Sequence, residues 1–309
     1  MSDALLICLP DRDGPGFAQR VREHLPKADV RVWPELGDAD QIAFAVTWNP
    51  PRGLFARLTG LQAVTSMGAG VDALLADPEL PRHIALGRLA GPRLAADMAG
   101  FLVASILSHW RQLDQFRDNQ RLERWQPWAP ERSPIIGVLG TGVLGQAAAR
   151  AFAALAIEVH GCNRSGRSVP GFDSIVPHKR LSELAGAVDV LINLLPLTPD
   201  TTGILNRRLF ATMRPDATLV NVGRGAHLVE DDLLAALATG RPAHAILDVF
   251  RDEPLPPGHP FWQHPKIRIT PHCAAITHPD EAASLAAESY RRVLGGEPPL
   301  GRVERQRGY

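Results

Sequence analysis

Residues 135–156 read IIGVLGTGVLGQAAARAFAALA. A short apolar run meets a glycine-rich turn, and an alanine-rich segment follows. The turn, GTGVLG (140–145), has the spacing G-x-G-x-x-G. With 27 glycines in 309 residues that spacing also arises by accident. Its setting, a strand before and a helix after, is what gives it meaning. There Gly140 permits a tight turn, Gly142 lets the backbone approach a pyrophosphate, and Gly145 lets the helix pack closely on the strand. The helix start offers unpaired N–H groups and the positive end of its dipole to phosphate oxygens. With Thr141, Val143 and Leu144 completing the turn, the stretch is predicted to hold a dinucleotide. A glycine turn without a ligand is the other reading.

The next strand, IEVHGC (157–162), runs into NRSGR (163–167). Dinucleotide folds that select NAD place an acid about here to grip the ribose 2′-OH. Asn163 stands there instead, and no carboxylate follows. Arg164 and Arg167 can form charge-assisted bonds to a 2′-phosphate, and Ser165 can add a hydroxyl. The predicted cofactor is NADPH, with NADH possible. Two solvated surface arginines are the alternative. Further strands are expected at VDVLINLL (188–195), ATLVNV (217–222), AILDVF (245–250) and IRITP (267–271), with helices at 143–156 and 230–240. Near-continuous apolar strands alternating with helices predict a doubly wound parallel sheet.

The first hundred residues alternate in the same way. ALLICLP (4–10), VRVWP (30–34) and IAFAVTW (42–48) read as strands, and 16–26 as a helix ending at Pro26. LTGLQAVTSMGAGVDALL (58–75) reads as helix end, strand, glycine-rich turn, helix. Residues 93–124 give one long helical pattern, apolar first and charged later. It reads as a bridge into a second domain and a candidate subunit interface, or as an ordinary packed helix. WQPWAPERSP (125–134) reads as a boundary loop, and 278–297 as a terminal helix returning to the first domain. The expected fold is α/β, with two Rossmann-like doubly wound parallel-sheet domains and the active-site cleft between them. The substrate domain is 1–98 with 279–309; the dinucleotide domain is 99–278.

Lys+Arg and Asp+Glu are both 33, so the net charge is zero and nothing global points to nucleic acid. The chain has no apolar run of about 18 residues that would predict a membrane helix. Three cysteines without a CxxC predict free thiols in a cytoplasmic protein, with neither disulfide nor metal site.

Active groups in open α/β sheets gather beyond the carboxyl ends of the strands. Arg224 (NVGRG, 221–225), Glu253 (DVFRDEPLP, 248–256) and His272 (TPHCAA, 270–275) are all expected there. An arginine can hold a carboxylate and polarise a carbonyl. A histidine can protonate the carbonyl oxygen as hydride reaches carbon. A glutamate can orient that imidazole and favour its protonated form. By position alone His259, His264 and His278 compete with His272. Leu195, Pro196, Val222 and Gly223, also at strand ends, are expected along the cofactor.

The motifs GTGVLG, LINLLPLTPDTTGILN (191–206), NVGRG, LDVFRDEPLP and ITPHCAA resemble, in order, those of the D-isomer-specific 2-hydroxyacid dehydrogenases. WNPP (48–51), GAGVD (68–72), VEDDLLAAL (229–237), EPLPPGHPFWQHP and ITPHCAAIT (269–277) are similar to the bacterial glyoxylate/hydroxypyruvate reductase branch. The resemblance implies that Arg224 binds substrate, His272 is the acid/base and Glu253 its partner. It implies that Asp248 contacts the nicotinamide carboxamide and that the backbone amides of Ala69 and Gly70 take the substrate carboxylate. Trp48 lines a small pocket or is a packing residue. A homodimer built on the dinucleotide domain is also implied. The expected activity is NADPH-dependent reduction of small 2-oxo acids, glyoxylate and hydroxypyruvate. The alternatives are an NADH-dependent enzyme for a bulkier 2-keto acid and a non-catalytic dinucleotide-sensing, corepressor-like module.

Overall fold

The computed structural model describes residues 3–309. The chain forms two compact units. The first runs to Leu94 and resumes at Ile276; the second is Ala95–Ala275.

Among the described residues, the first unit is built on a five-stranded parallel sheet. Its strands are β1 (Ala4–Cys8), β2 (Val30–Val32), β3 (Ile42–Thr47), β4 (Ala63–Ser66) and β5 (Ala85–Arg88), in the order β2-β1-β3-β4-β5. This is the flavodoxin-type order rather than a Rossmann half, although both are doubly wound. Strand β1 shows why the sequence has no polar alternation. Leu5 and Ile7 face a cluster with Phe17 and Val21 of α1 (Gly14–His24). Ala4, Leu6 and Cys8 face another, with Leu54 and Phe55 of α2 (Leu54–Arg57) and Leu74 of α3 (Asp72–Ala76). Helices cover both faces, so every β1 side chain is buried. The terminal helix, Pro279–Leu294, adds Ala282, Ala283, Ala286, Ala287, Tyr290 and Val293 to the α1 side. Its alanines allow close approach to the sheet.

The second unit begins within α4 (Pro92–Trp110), which is followed by α5 (Leu113–Arg121). The single helix expected over 93–124 is thus two. Gln112 takes φ +53°, the left-handed conformation that ends a right-handed helix. No glycine or proline marks the break. The loop 125–134 lies inside this unit, between α5 and the next strand. The sheet's strands are β6 (Ile136–Leu139), β7 (Val159–Asn163), β8 (Ser174–Pro177), β9 (Val190–Asn193), β10 (Thr218–Asn221), β11 (His244–Leu247) and β12 (Ile267–Ile269). Their order is β12-β11-β10-β9-β6-β7-β8, all parallel, with the reversal of strand order between β6 and β9. Two strands were not anticipated, β5 and the edge strand β8. Both are four residues long, and β8 is bounded by Pro177, which an edge tolerates.

Each central strand serves two clusters. Val190 and Ile192 meet Met98, Leu102 and Ile106 of α4 and Ala148, Ala149 and Phe152 of α6 (Val143–Ala153). Leu191 meets Leu184 of α7 (Leu181–Ala187), Leu209 of α8 (Arg207–Phe210) and Leu233 of α9 (Glu230–Thr239). In the first unit the C-terminal helix is then α10 (Pro279–Leu294).

One charged anchor fastens the 125–134 loop to this sheet. Arg132 grips the Asp189 carboxylate with two nitrogens, at 2.6 and 2.8 Å, and the Ile135 N–H donates to it at 2.9 Å. Burial opposes ionisation of Asp189, but the Arg132 and Ile135 hydrogen bonds, with the charges of Arg132 and Arg214, hold its pKa below the usual carboxylate value. A depressed folded-state pKa stabilises above the unfolded value, about 3.9, and the contribution is lost as pH falls through the folded value. Asp189→Asn is therefore expected to lower stability by about 1–3 kcal/mol at neutral pH in urea unfolding. The gap to wild type should close in acid; a gap that is constant with pH contradicts this account.

Candidate active site

The glycine turn has the shape its spacing predicts. Gly140 takes φ +99°, and a Cβ there would lie 2.7 Å from the Leu194 carbonyl oxygen. A Cβ on Gly145 would lie 2.0 Å from the Gly140 oxygen, so only glycine lets α6 approach β6 this closely. At Gly142, the N-cap of α6, a Cβ would meet nothing within 4 Å. That side of the turn is open, with the first N–H groups of an 11-residue helix behind it. No capping side chain occupies this end. An anionic pyrophosphate fits such a cradle. Val143 is exposed and Leu144 half-buried beside it, and Thr141 is buried below.

Asn163 ends β7 and organises the loop after it. Its Nδ2 donates to Thr141 Oγ1 (3.1 Å) and to the Arg167 carbonyl (2.9 Å). Its Oδ1 accepts from the N–H groups of Ser165 (3.1 Å) and Gly166 (2.7 Å). The carboxamide thus ties the glycine turn to the NRSGR loop, using donor and acceptor together, which a carboxylate could not do. Arg164, Ser165 and Arg167 are exposed on this loop. Among the described residues neither guanidinium has an ion-pair or hydrogen-bond partner.

Every other candidate of this unit also lies beyond the carboxyl end of a strand. Leu195 and Pro196 follow β9, and Val222, Gly223 and Arg224 follow β10. Asp248 and Glu253 follow β11, and His272 follows β12. His272 Nδ1 lies 2.6 Å from Glu253 Oε2, and Glu253 Oε1 accepts the Phe250 N–H at 2.9 Å. Burial resists ionisation of Glu253. Hydrogen bonds from His272 and Phe250, and the charges of His272 and Arg224, nevertheless hold its pKa below the ordinary range. The acid is therefore a carboxylate across the neutral range, suited to orienting an imidazole.

His272 takes φ +50°, unusual for a residue with a side chain. Asp248 explains how the turn is held. Its carboxylate, 1% exposed, accepts from Thr270 Oγ1 (2.6 Å), the Cys273 N–H (2.9 Å) and the Ala274 N–H (3.0 Å). Its carbonyl accepts the His272 N–H at 2.8 Å. The competing histidines are tied elsewhere. His259 lies 3.4 Å from Glu230 and edge-on to Phe261, and His264 Nδ1 accepts the Lys266 N–H. His278 belongs to the first unit, 3.9 Å from Asp280.

Sequence reasoning missed a buried polar ring beneath Arg224. Asn193, Asn221 and His227 are each 0% exposed. Asn193 Nδ2 donates to Asn221 Oδ1 and meets His227 Nδ1, both at 2.9 Å. Asn221 Nδ2 donates to the Arg224 carbonyl at 3.2 Å. The available signal was an asparagine inside each of two apolar strands, LINLL and LVNV.

In the first unit, Trp48 follows β3 and the Ala69–Gly70 turn follows β4. Ser66 Oγ donates to the Gly70 carbonyl at 2.6 Å. Among the described residues the N–H groups of Ala69 and Gly70 donate to nothing. A Cβ on Gly68 would lie 2.9 Å from the Trp48 ring, and the Arg12 guanidinium lies 4.4 Å from the ring centroid on a face of the indole. The ring is thus held between the turn and a cation.

The described residues contain no helix long and apolar enough to cross a membrane. The family model for the NAD binding domain of D-isomer specific 2-hydroxyacid dehydrogenase matches residues 103–274. A protein named glyoxylate/hydroxypyruvate reductase A from Yersinia enterocolitica is 39% identical over 297 residues, 94% of each chain. A crystal structure of a D-isomer specific 2-hydroxyacid dehydrogenase from Xanthobacter autotrophicus Py2, in complex with NADPH and MES, is 36% identical. It covers 100% of both chains with a TM-score of 0.93. An NADPH-dependent glyoxylate/hydroxypyruvate reductase from Sinorhizobium meliloti, in complex with NADP and sulfate, is 32% identical over 100% of both chains, with a TM-score of 0.91. Glycine cradle, strand-end residues and these similarities agree: the chain belongs to the D-isomer specific 2-hydroxyacid dehydrogenase family and is an NAD(P)-dependent oxidoreductase.

Proposed function

We propose that the protein reduces small 2-oxo acids, glyoxylate to glycolate and hydroxypyruvate to D-glycerate, with NADPH as preferred reductant and NADH as a possible one. The observation that carries this reading is the His272–Glu253 pair, 2.6 Å apart, on the same sheet edge as the glycine cradle and Arg224. The names of the relatives support the choice of substrates. NADPH, when bound, supplies the hydride. Gly140 to Gly145 hold its pyrophosphate, and Asn163, Arg164 and Ser165 receive the 2′-phosphate. Leu195, Pro196, Val222, Gly223 and Asp248 line the nicotinamide side. The open amides of Ala69 and Gly70 take the substrate carboxylate, Trp48 limits the size of the acid, and Arg224 holds and polarises the 2-oxo group. His272 gives its proton to the carbonyl oxygen, and Glu253 stabilises the imidazole that must be recharged.

The test is the initial rate of NADPH and, separately, NADH oxidation with glyoxylate, hydroxypyruvate, pyruvate and phenylpyruvate. The expected result is fastest turnover with NADPH and the first two acids. Activity confined to phenylpyruvate would replace the substrate. Tight NADPH binding without any turnover would favour a sensing module.

The same reading places the protein in the cytoplasm, in keeping with its three free cysteines, and makes it a homodimer. Leu113, Leu122, Trp125 and Trp128 are exposed on α5 and the loop after it. Beside them is a hollow of about 940 Å³ lined by His109, Trp128, His244 and Arg268 among others. Trp128 both belongs to these exposed apolar side chains and lines the hollow, and an apolar surface beside a hollow suits a two-fold pair. A monomeric mass in solution would overturn the dimer.

A further inference from the structure

We infer that His227 is a positioning residue that locks the loop after β9 to the loop carrying Arg224, using one ring nitrogen for each. The inference rests on the proposed roles of Leu195–Pro196 at the cofactor and of Arg224 at the substrate.

Two backbone groups with fixed donor and acceptor roles assign the ring's protons. Nδ1 faces the Arg224 backbone N–H at 3.0 Å. A backbone N–H can only donate, so Nδ1 is an acceptor and carries no proton. Nε2 faces the Pro196 carbonyl at 3.2 Å. A carbonyl can only accept, so Nε2 carries the proton. Two fixed backbone groups thus select one tautomer of a fully buried imidazole. The asparagines complete the frame. Asn193 Oδ1 accepts the Leu195 N–H at 3.2 Å, and Asn221 Oδ1 accepts the Gly223 N–H at 3.3 Å. Each loop is held at its own strand end by an asparagine, and His227 joins the two. The chain separations, 31 residues from His227 to Pro196 and three to Arg224, make it a long-range clasp rather than a local cap.

The two functions of the ring can be removed one at a time. In His227→Asn, the carboxamide oxygen can take the place of Nδ1, but nothing reaches Pro196. In His227→Gln, the amide can take the place of Nε2–H, but Arg224 loses its acceptor. Loss of a buried hydrogen bond corresponds to roughly a tenfold change in an equilibrium constant. His227→Asn is expected to weaken NADPH binding about tenfold in a fluorescence titration without substrate, with the KM for glyoxylate near wild type. His227→Gln is expected to raise the KM for glyoxylate about tenfold and leave the NADPH Kd near wild type. A ring that merely fills space would give the same changes in both variants, and that result, or no change in either, overturns the inference.

Hydrogen exchange on the wild-type protein decides the matter even where a variant does not fold. The Arg224 amide should exchange as slowly as those of β10. Exchange at the rate of an open loop overturns the clasp. If the wild type reduces no 2-oxo acid, the functional reading fails, while the NADPH titration and the exchange rate still report on His227.

Discussion

His272→Ala is expected to lower kcat by about 100-fold or more, the scale on which a general acid contributes. The geometry makes the expectation specific. The imidazole is aimed by Glu253, and its backbone is held by Asp248 in a conformation that a non-glycine residue adopts only under constraint. Alanine removes the proton donor while the turn keeps its anchors, because the bonds to Asp248 come from Thr270 and from backbone N–H groups. NADPH affinity should therefore stay close to wild type, since the cradle lies beyond a different strand. Glu253→Gln should fall between the two in kcat: the amide can still meet Nδ1 but brings no charge. Single-turnover rates with saturating NADPH and glyoxylate make the comparison. Near-wild-type turnover in His272→Ala would remove His272 from the chemistry.

Arg164→Ala is expected to raise the Kd for NADPH by roughly 10- to 100-fold, the loss of a charge-assisted bond, and to leave NADH binding unchanged. The structure sharpens this prediction through Asn163. That side chain holds the loop by donating to Thr141 and Arg167 and accepting from Ser165 and Gly166. Asn163→Asp keeps the two accepted bonds, loses the two donated ones and adds a negative charge where the 2′-phosphate is proposed to sit. It should weaken NADPH more than Arg164→Ala does and improve NADH through the ribose 2′-OH. Titrations with both nucleotides test both variants. An equal loss for NADPH and NADH would mean that the loop has only been disordered and that no phosphate is read there.

The legible parts of this protein share one property: their signal is contiguous. GTGVLG announces a strand, a turn and a helix within a few residues. The apolar runs of β1, β3, β9 and β10 are readable because helices cover both faces of each sheet, so no polar alternation interrupts them. Less legible elements lack such a run. Strand β8 is a four-residue edge with no fully buried side chain, and its apolar signal is correspondingly weak. The break between α4 and α5 rests on the backbone of Gln112, a residue type with no special preference for φ +53°.

The site divides along the same line. From the sequence alone came the three glycines, the missing acid at Asn163 and the order of Arg224, Glu253 and His272, because short-range spacing and strand-end position carry them. Tertiary structure showed that His272, and not His259, His264 or His278, is the histidine paired with Glu253. It also showed Asp248 bracing the turn at His272, and it joined Asn193, Asn221 and His227 into one ring. Those pairings link residues 22 to 34 positions apart, and only the parallel register of the sheet brings them within hydrogen-bonding distance. A buried polar side chain must find its partners wherever the fold puts them, so its role is written in the packing of the strands and not in its neighbours along the chain.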